Sequence, residues 1–159
     1  MDELLKLLKE NALETTANLA RMLNLSEAEI KGRITEYERT GIIRGYQAIL
    51  NTDDLDLPLV QAVIEIKVTP ERDGGFNRIA ERISKFSEVD ALHLMSGTYD
   101  LLAVVKGRDL KQVALFVSAK LATIEGVLST STHFMLKTYK EHGVLMQAEA
   151  KNERIQVSA

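Results

Sequence analysis

The stretch LSEAEIKGRITEYERTG, Leu25 to Gly41, carries apolar residues at the spacing of one helical face. The residues on that face are Ile30, Ile34 and Tyr37. Ser26 precedes the helix and Glu29 follows three residues later, which is the pattern of a capping box. Gly41 is typical of a helix end. The stretch therefore predicts a helix that begins after Ser26 and ends near Gly41.

Two shorter helices are predicted before this one, and a β-rich segment follows it. A helix of roughly three turns is predicted by the spacing of Leu4, Leu5, Leu7 and Leu8, and Thr15 can cap a second helix. The segment IIRGYQAIL, residues 42–50, is rich in β-formers and has a bend at Gly45, which predicts a small hairpin or wing. Three short helices and a wing are typical of a winged helix-turn-helix, here predicted as a domain of residues 1–50.

After residue 50 the spacing of apolar residues is no longer purely helical. Residues 51–58, NTDDLDLP, have the composition of a linker, and residues 146–159 form a polar tail. Between them, residues 59–145 alternate strand-like and helix-like runs in the order β-α-β-β-α-β, which is typical of a ferredoxin-like domain. The predicted strands are 61–68, 89–97, 101–107 and 127–141, and the predicted helices are 73–86 and 109–124. The predicted fold class is thus α+β.

The last predicted strand has two unlike faces. We expect the helices to cover the face with Thr130 and Thr132, together with Leu128, Phe134 and Leu136. The opposite face carries Ser129, Ser131, His133 and Met135, and nothing later in the chain can cover it. A mixed, uncovered sheet face predicts self-association into a homodimer, with a larger even-numbered assembly or a solvated surface as alternatives.

The amino-acid composition excludes several classes of protein function. The chain has 159 residues, a formal net charge of −3, no cysteine and three histidines. The absence of cysteine excludes disulfides and thiolate chemistry, and few histidines argue against a structural zinc site. No apolar run approaches the roughly 18 residues of a membrane span, and the acidic start is unlike a secretory signal. We therefore expect a cytoplasmic protein without cofactor, metal or membrane partner.

Three stretches together resemble the leucine-responsive regulatory protein (Lrp/AsnC, feast/famine) family. They are Asn18 to Ile43, then IIRGYQAILN from Ile42 to Asn51, and MSGTYDLLAVV from Met95 to Val105. The first alone is a general helix-turn-helix, but their order and spacing are fairly specific. The resemblance extends from about Asp2 to Val144. It implies a DNA-binding transcriptional regulator whose second domain binds a small molecule. We expect no enzymatic activity, because the sequence offers no nucleophile–base pair, phosphate loop or metal spacing.

The acidic third helix raises the question of how it would approach double-stranded DNA. Residues 1–52 hold seven Lys and Arg against eight Asp and Glu, so attraction to phosphate is expected to be weak for each domain. With Ile30, Ile34 and Tyr37 turned inward, small or uncharged side chains and one arginine occupy the outward apex. The candidate DNA-binding residues are Thr15, Thr16, Ser26, Ala28, Lys31, Gly32, Thr35, Arg39 and Arg44.

The stretch SGTYDLL, residues 96–102, is the second candidate site. From its residues alone it predicts a β-turn in which Asp100 accepts backbone amides. In the family that the chain resembles, this turn lies at the subunit interface and lines a pocket, usually for an amino acid. The resemblance implies that the effector-binding residues are Ser96, Gly97, Thr98, Tyr99 and Asp100, with Ser129, Thr130 and Ser131 as weaker candidates.

Two alternatives from other classes remain at this stage. The first is a metabolite-sensing oligomerisation module with weak or no DNA binding, which the acidic third helix keeps open. The second is a sirohaem (tetrapyrrole) decarboxylase of similar architecture, which would need clustered basic and histidine residues. His93 and His133 are predicted on strands that are not neighbours, so the sequence offers no such cluster.

Overall fold

In the computed structural model, residues 1–52, 55, 57–70 and 75–146 are described. The chain divides into two compact units, Met1–Ile49 and Leu50–Ala159. Three of the residues predicted as linker, Asp53, Asp54 and Asp56, and the tail beyond Met146 lie outside the described residues. Each unit has its own hydrophobic core.

The first unit consists of three helices: α1 (Glu3–Glu10), α2 (Thr16–Leu23) and α3 (Glu27–Arg39). Their apolar faces meet in a small core whose buried members are Leu4, Leu8, Leu19, Ala20 and Ile30. Ile34 and Tyr37 pack against this core from α3, which confirms the inward face that the sequence predicts. The opposite face of α3 is therefore left at the surface.

Side-chain caps fix where α2 and α3 begin, as predicted. Thr15 Oγ1 accepts from the Asn18 amide at 3.2 Å. At the start of α3, Ser26 Oγ accepts from the Glu29 amide at 3.2 Å, and the Glu29 carboxylate accepts from the Ser26 amide at 2.9 Å. This capping box satisfies two helix-terminal amides reciprocally. Gly41, just past the helix, has the positive φ of +73° that suits a glycine stop.

The predicted wing hairpin is wrong. Residues 42–50 form no strand. The segment is held to α3 instead: the Ile43 amide donates to the Tyr37 carbonyl at 3.0 Å, and the Tyr46 hydroxyl donates to the Glu38 carboxylate at 3.0 Å. β-Propensity alone does not produce a hairpin when no neighbouring strand in the unit pairs with it. The first unit is therefore a helix-turn-helix without a β-wing.

The second unit contains the predicted β-α-β-β-α-β order. Its elements are β1 (Val60–Val68), α4 (Asn77–Ser84), β2 (Val89–Leu94), β3 (Leu101–Gly107), α5 (Leu110–Phe116) and β4 (Val127–Phe134). The strands form one antiparallel sheet in the order β2-β3-β1-β4. Both helices pack their apolar residues on one face of it. A ferredoxin-like arrangement results, with β1 in the interior of the sheet.

β1 supplies the central layer of this core. Ala62, Ile64 and Ile66 have no exposed surface and Val68 has 4%, so these side chains form the inward face of the strand. They pack with residues of α4 and α5, among them Ile79, Ile83, Val113 and Phe116. Because side chains alternate along a strand, the intervening residues of β1 face away from the helices.

The prediction that Leu128 and Leu136 face the helices is wrong. Leu128 is 68% exposed and Leu136 is 95% exposed. The register explains the first: Lys67 pairs with Ser129 but Val68 pairs with Val127, so Leu128 is the extra residue of a β-bulge. Leu136 lies beyond the end of the strand at Phe134, which is shorter than the predicted 127–141. A separate small hairpin, β5 (Lys140–Glu141) and β6 (Val144–Leu145), follows.

The second long helix changes its winding. Asp109 caps α5, with its carboxylate accepting from the Gln112 amide at 2.7 Å. A π-helical turn, Val117–Leu121, then continues α5, and the Ala122 amide donates to the Val117 carbonyl five residues back. The other predicted helix, 73–86, is shorter as α4, and its first two predicted residues lie outside the described residues.

Candidate DNA-binding helix and effector turn

The outward surface of α3 holds most of the predicted DNA-contacting residues. Ala28, Lys31, Gly32 and Thr35 are exposed on it. A Cβ added at Gly32 would meet no atom within 4 Å, so the glycine leaves bare backbone facing open space. Small residues of this kind allow a helix backbone to approach base edges closely.

The four carboxylates of α3 all have partners within the unit. They fall into two pairs along the helix: Glu27 and Glu29 in its first turn, Glu36 and Glu38 near its end. The Thr16 hydroxyl donates to Glu27 at 3.2 Å. The Ser26 amide and hydroxyl donate to Glu29, and they hold the pKa of that carboxyl below its usual range.

The two carboxylates near the end of α3 bind an arginine and a tyrosine. Arg39 donates from Nε and Nη2 to the two oxygens of Glu36, at 2.8 and 2.6 Å, and this contact lowers the pKa of Glu36. Tyr46 donates to Glu38. The bonds from Thr16 and Tyr46 join parts of the chain that helical spacing does not bring together, so helical periodicity alone does not reveal them.

The basic residues around α3 differ in whether their charged groups already have a partner within the unit. Arg39, although 71% exposed, has its guanidinium held bidentately by Glu36. Arg33 lies 3.8 Å from Asp2 of α1. Lys31 has no ion-pair partner among residues 1–52. Arg44 folds back over the end of α3, since a Cβ at Gly41 would lie 2.8 Å from its Cζ. A cation at that position also suits the negative end of the helix dipole.

The cap hydroxyls predicted to contact DNA already make intramolecular bonds. Thr15 accepts from the Asn18 amide, and Thr16 donates to Glu27. Ser26 both accepts from the Glu29 amide and donates to the Glu29 carboxylate. The Thr15 and Ser26 bonds fix where α2 and α3 begin, and the Thr16 bond to Glu27 links α2 to α3. The three hydroxyls therefore contribute to the geometry of the helix-turn-helix.

Asp100 anchors the turn between β2 and β3 to the centre of the sheet. Its Oδ2 accepts from the Val68 amide at 2.9 Å, and its own amide donates to the Ile66 carbonyl at 3.0 Å. Its carbonyl accepts from the Met95 amide at 2.8 Å, which closes the turn. An amide-accepting role was predicted for Asp100, but the donor belongs to β1, 32 residues away, rather than to the turn itself.

The remaining turn residues extend into solvent. Ser96, Gly97 and Thr98 are exposed, while Tyr99 and Asp100 are half-buried. Gly97 has a φ of +140°, a conformation that favours glycine. The hydroxyls of Ser96 and Thr98 and the second oxygen of Asp100 make no hydrogen bond to the described residues.

The weaker effector candidates lie at the same end of the sheet as this turn. Ser129 pairs with Lys67 and Thr130 with Ile66, on the edge of β1 opposite to β3. Two strand spacings, about 10 Å, therefore separate them from Asp100. Thr130 is half-buried on the helix side, whereas Ser129 and Ser131 are exposed on the other side. The structure thus brings the two predicted segments to one end of β1 but along its opposite edges.

The sheet face without helices has an apolar centre and a polar rim. Val63 pairs with Val104, and both are half-buried in the single chain, as are Ala91 and Leu102 beside them. Polar side chains surround this centre: Glu65, Lys67, His93, Lys106, Ser129, Ser131 and His133. We call this surface the open face.

The histidines are separated as the predicted strand order requires. His93 lies on β2 and His133 on β4, at opposite edges of the sheet. His133 Nε2 is 3.6 Å from Glu65 and 3.3 Å from the Ser131 hydroxyl. Among residues 1–52, 55, 57–70 and 75–146, no three His, Cys, Asp or Glu side chains are placed to hold a metal ion, and no helix could cross a membrane.

Comparisons with known proteins agree with this architecture. Residues 61–145 match the family model of the Lrp/AsnC ligand binding domain. An uncharacterized HTH-type transcriptional regulator of Bacillus subtilis is 41% identical over 157 residues, covering 98% of this chain and 95% of the relative. The leucine-responsive regulatory protein of Haemophilus influenzae is 26% identical, over 91% of this chain and 86% of its own.

A solved structure extends the likeness to three dimensions. The transcriptional regulator NMB0573 of Neisseria meningitidis, solved in complex with L-Met, is 27% identical and has a TM-score of 0.68. The similarity covers 89% of this chain and 93% of that one. Helix-turn-helix, ferredoxin-like sheet and whole-length relatives agree with one another. The chain therefore belongs to the Lrp/AsnC family of helix-turn-helix transcriptional regulators.

Proposed function

We propose that this chain is a cytoplasmic homodimeric regulator that reads double-stranded DNA with α3 and binds an amino acid at the turn Ser96–Asp100. The observation that carries the DNA-binding part is the state of the four carboxylates on α3, each of which has an intramolecular partner. They flank an exposed apex of small or uncharged residues. This helix is acidic in composition, but its outward surface is compatible with a major groove.

In the proposed complex, the contacts divide by type. Ala28, Gly32 and Thr35 approach base edges, while Lys31, Arg39 and Arg44 contact phosphates. Thr15, Thr16 and Ser26 contribute mainly by fixing the two helices, because their hydroxyls are already bonded. For Arg39, a DNA phosphate must compete with the Glu36 carboxylate, which presents the same pair of acceptor oxygens.

The whole proposal is tested by selecting genomic DNA fragments on the full-length protein, with and without a panel of amino acids. We expect an enriched sequence motif whose recovery changes in the presence of at least one amino acid. No enrichment, combined with mixed oligomers formed with a related regulator, would instead support a sensing module without DNA recognition. Unchanged recovery across the panel would reject the amino-acid effector.

Two substitutions on α3 are expected to change DNA affinity in opposite directions. Gly32→Ala should stabilise the helix by up to about 1 kcal/mol, because the site is open and helical, yet weaken DNA binding by adding a methyl group to the apex. Glu36→Gln should strengthen binding about two- to fivefold by releasing Arg39 and removing a negative charge. Thermal unfolding and fluorescence anisotropy with a selected DNA fragment measure both effects.

The matched control is Glu10→Gln, which makes the same charge change on exposed α1. It should leave DNA affinity close to that of the parent protein. If Gly32→Ala stabilised the protein without loss of DNA affinity, close approach at Gly32 would be ruled out. Equal gains from Glu36→Gln and Glu10→Gln would mean that net charge, and not the contact with Arg39, sets the affinity.

The effector proposal rests on the free groups around Asp100. An amino acid needs an acceptor for its ammonium and donors for its carboxylate. Asp100 still has one carboxylate oxygen available, and the Ser96 and Thr98 hydroxyls are exposed. Because the turn is open in a single chain, a second subunit would complete the pocket. The L-Met complex of the Neisseria meningitidis relative supports an amino acid as the ligand class.

Asp100→Asn separates ligand recognition from folding. Asparagine keeps an acceptor oxygen for the Val68 amide but removes the charge that would bind an ammonium. We expect the free variant to unfold at nearly the parent temperature and to bind DNA normally, but to lose the thermal shift produced by the amino acid. Asp100→Ala is less informative, since it leaves the Val68 amide without a partner and destabilises the sheet.

Asp90→Asn is the matched control for this charge change. Asp90 lies at the start of β2, at the end of the strand away from the turn, and is exposed beside Lys106. The ligand response of this variant should equal that of the parent protein. A full ligand response in Asp100→Asn would remove the carboxylate charge from the effector site.

The homodimer is proposed to form through the open face. Its apolar centre and polar rim have the anatomy of a protein interface, and a two-fold axis would place each Val104 near the same region of the partner. Assembly matters for DNA binding because a dimer carries two helix-turn-helix units, which we call heads. Once one head is bound to DNA, the effective concentration of the second head at the DNA is raised. A ligand bound at the interface would then alter DNA occupancy by favouring one assembly over another.

Val104→Glu is expected to dissociate this dimer. The substitution buries a carboxylate in the apolar centre of the interface, next to Val63. Sedimentation velocity should show a monomer at concentrations where the parent protein is dimeric, and DNA affinity should fall with it. Leu110→Glu, an equal change at an exposed residue on the helix side of the sheet, should remain dimeric. A dimeric Val104→Glu protein would place the interface elsewhere.

A further inference from the structure

A groove lies on the outer surface of the helix layer, away from both the effector turn and the open face. It has a volume of about 490 Å³, within the range of small-molecule sites. Its walls come from the loop before β2, the loop after β3 and the outward side of α5 with its π-helical turn. Its lining includes the ion pair of Glu88 and Lys120, the cations Arg108 and Lys111, and the apolar side chains of Leu115 and Phe116.

The π-helical turn explains why a lysine stands at the edge of this groove. Phe116 and Leu121 are both buried although they are five residues apart, a spacing that one α-helical face does not accommodate. Widening the helix over Val117–Leu121 allows both to reach the core. Lys120, which an uninterrupted α-helix would turn toward the core in place of Leu121, remains exposed. π-Helical turns of this kind occur frequently at functional sites.

Lys120 is fixed by a carboxylate and two aromatic rings. Its Nζ lies 2.6 Å from Glu88, whose side chain is only 16% exposed. The same ammonium is 5.7 Å from the ring centre of Phe86 and 5.9 Å from that of Phe116. The contact with Lys120 lowers the pKa of Glu88. The charge of Lys120 is therefore compensated within the wall.

Two further cations at the groove are not compensated. Arg108 and Lys111 are exposed and make no ion pair with the described residues. The other carboxylate in the lining, Asp109, is occupied in capping α5. Beside these cations the floor is apolar: Leu115 is 54% exposed, and Ala119 is too small to fill the space above Phe116. An apolar floor next to two unpaired positive charges is complementary to an amphipathic anion.

We propose that this groove binds a small amphipathic organic anion, in which a carboxylate or similar group meets Arg108 and Lys111 and an apolar chain covers Leu115 and Ala119. The site is distinct from the effector turn. The groove adjoins the last residue of β3, whereas the turn Ser96–Asp100 precedes its first residue. A strand of this length separates them by about 20 Å. The proposed amino-acid site and this groove therefore bind their ligands independently of each other's side chains.

The experiment uses the fluorescent anion anilinonaphthalene sulfonate as a probe of the full-length protein. The double variant Arg108→Glu/Lys111→Glu should raise the Kd of the probe about tenfold or more, because two favourable charges become unfavourable. Arg108→Lys/Lys111→Arg should keep the parent affinity. Octanoate should displace the probe, whereas octylamine, with the same chain and the opposite charge, should not.

Lys9→Glu/Lys140→Glu is the matched control, since both lysines are exposed and neither lines the groove. It should bind the probe as the parent protein does. If Arg108→Glu/Lys111→Glu fails to fold, Ala119→Glu places a carboxylate over the same floor from an exposed helical position and should also weaken the probe. Equal probe affinity in the groove variants and the control would overturn the proposal. So would displacement by an acidic peptide but not by octanoate, which would indicate a protein-docking surface.

Discussion

The pairing of β1 with strands on both of its edges is the constraint on which most of the second unit depends. β3 lies on one side and β4 on the other, so the register of β1 fixes theirs. Its inward side chains are almost completely buried against the helices, and a shift by one residue would expose all of them. The register is therefore set by the core, and the positions of both candidate ligand sites follow from it.

The same strand connects the core to the effector turn and to the open face. Asp100 is bonded to the amide of Val68 and the carbonyl of Ile66, so the turn is attached directly to buried residues. Of the outward residues of β1, Val63 lies in the apolar centre of the open face and Glu65 on its polar rim. A ligand that moved Asp100 would act on a strand whose other face takes part in the proposed dimer. This is a short physical route between ligand and assembly.

The sequence predicted the order of the elements because alternation and helical spacing are local signals. It also predicted the inward face of α3, the capping box and the cap at Thr15, each of which depends on residues close together in the sequence. The errors concern pairing. A bulge opposite Val68 exposes Leu128, and residues 42–50 have β-propensity but no strand partner in their unit. Neither fact can be read from neighbouring residues along the chain.

In the candidate sites, too, local features could be predicted from the sequence, whereas contacts between distant segments could not. Residues at the α3 apex could be chosen from a helical wheel, whereas the bonds from Thr16 to Glu27 and from Tyr46 to Glu38 depend on how separate segments meet. Asp100 was identifiable as a turn residue, but its donor on β1 was not. No sequence motif indicates the groove beside α5. Its only trace in the sequence is the five-residue spacing of Phe116 and Leu121, which α-helical periodicity treats as an irregularity.

The carboxylates of α3 bear on how such a regulator would be controlled. Because Glu36 already neutralises Arg39, binding to phosphate exchanges one ion pair for another and gains less than a free arginine would. The near-neutral balance of residues 1–52 limits the general attraction to DNA in the same way. A single head with little intrinsic affinity makes occupancy depend strongly on how many heads are joined and how they are spaced. In the proposed dimer, a modest preference of a ligand for one assembly would therefore produce a large change in DNA binding, whereas tightly binding heads would remain on the DNA regardless of the ligand.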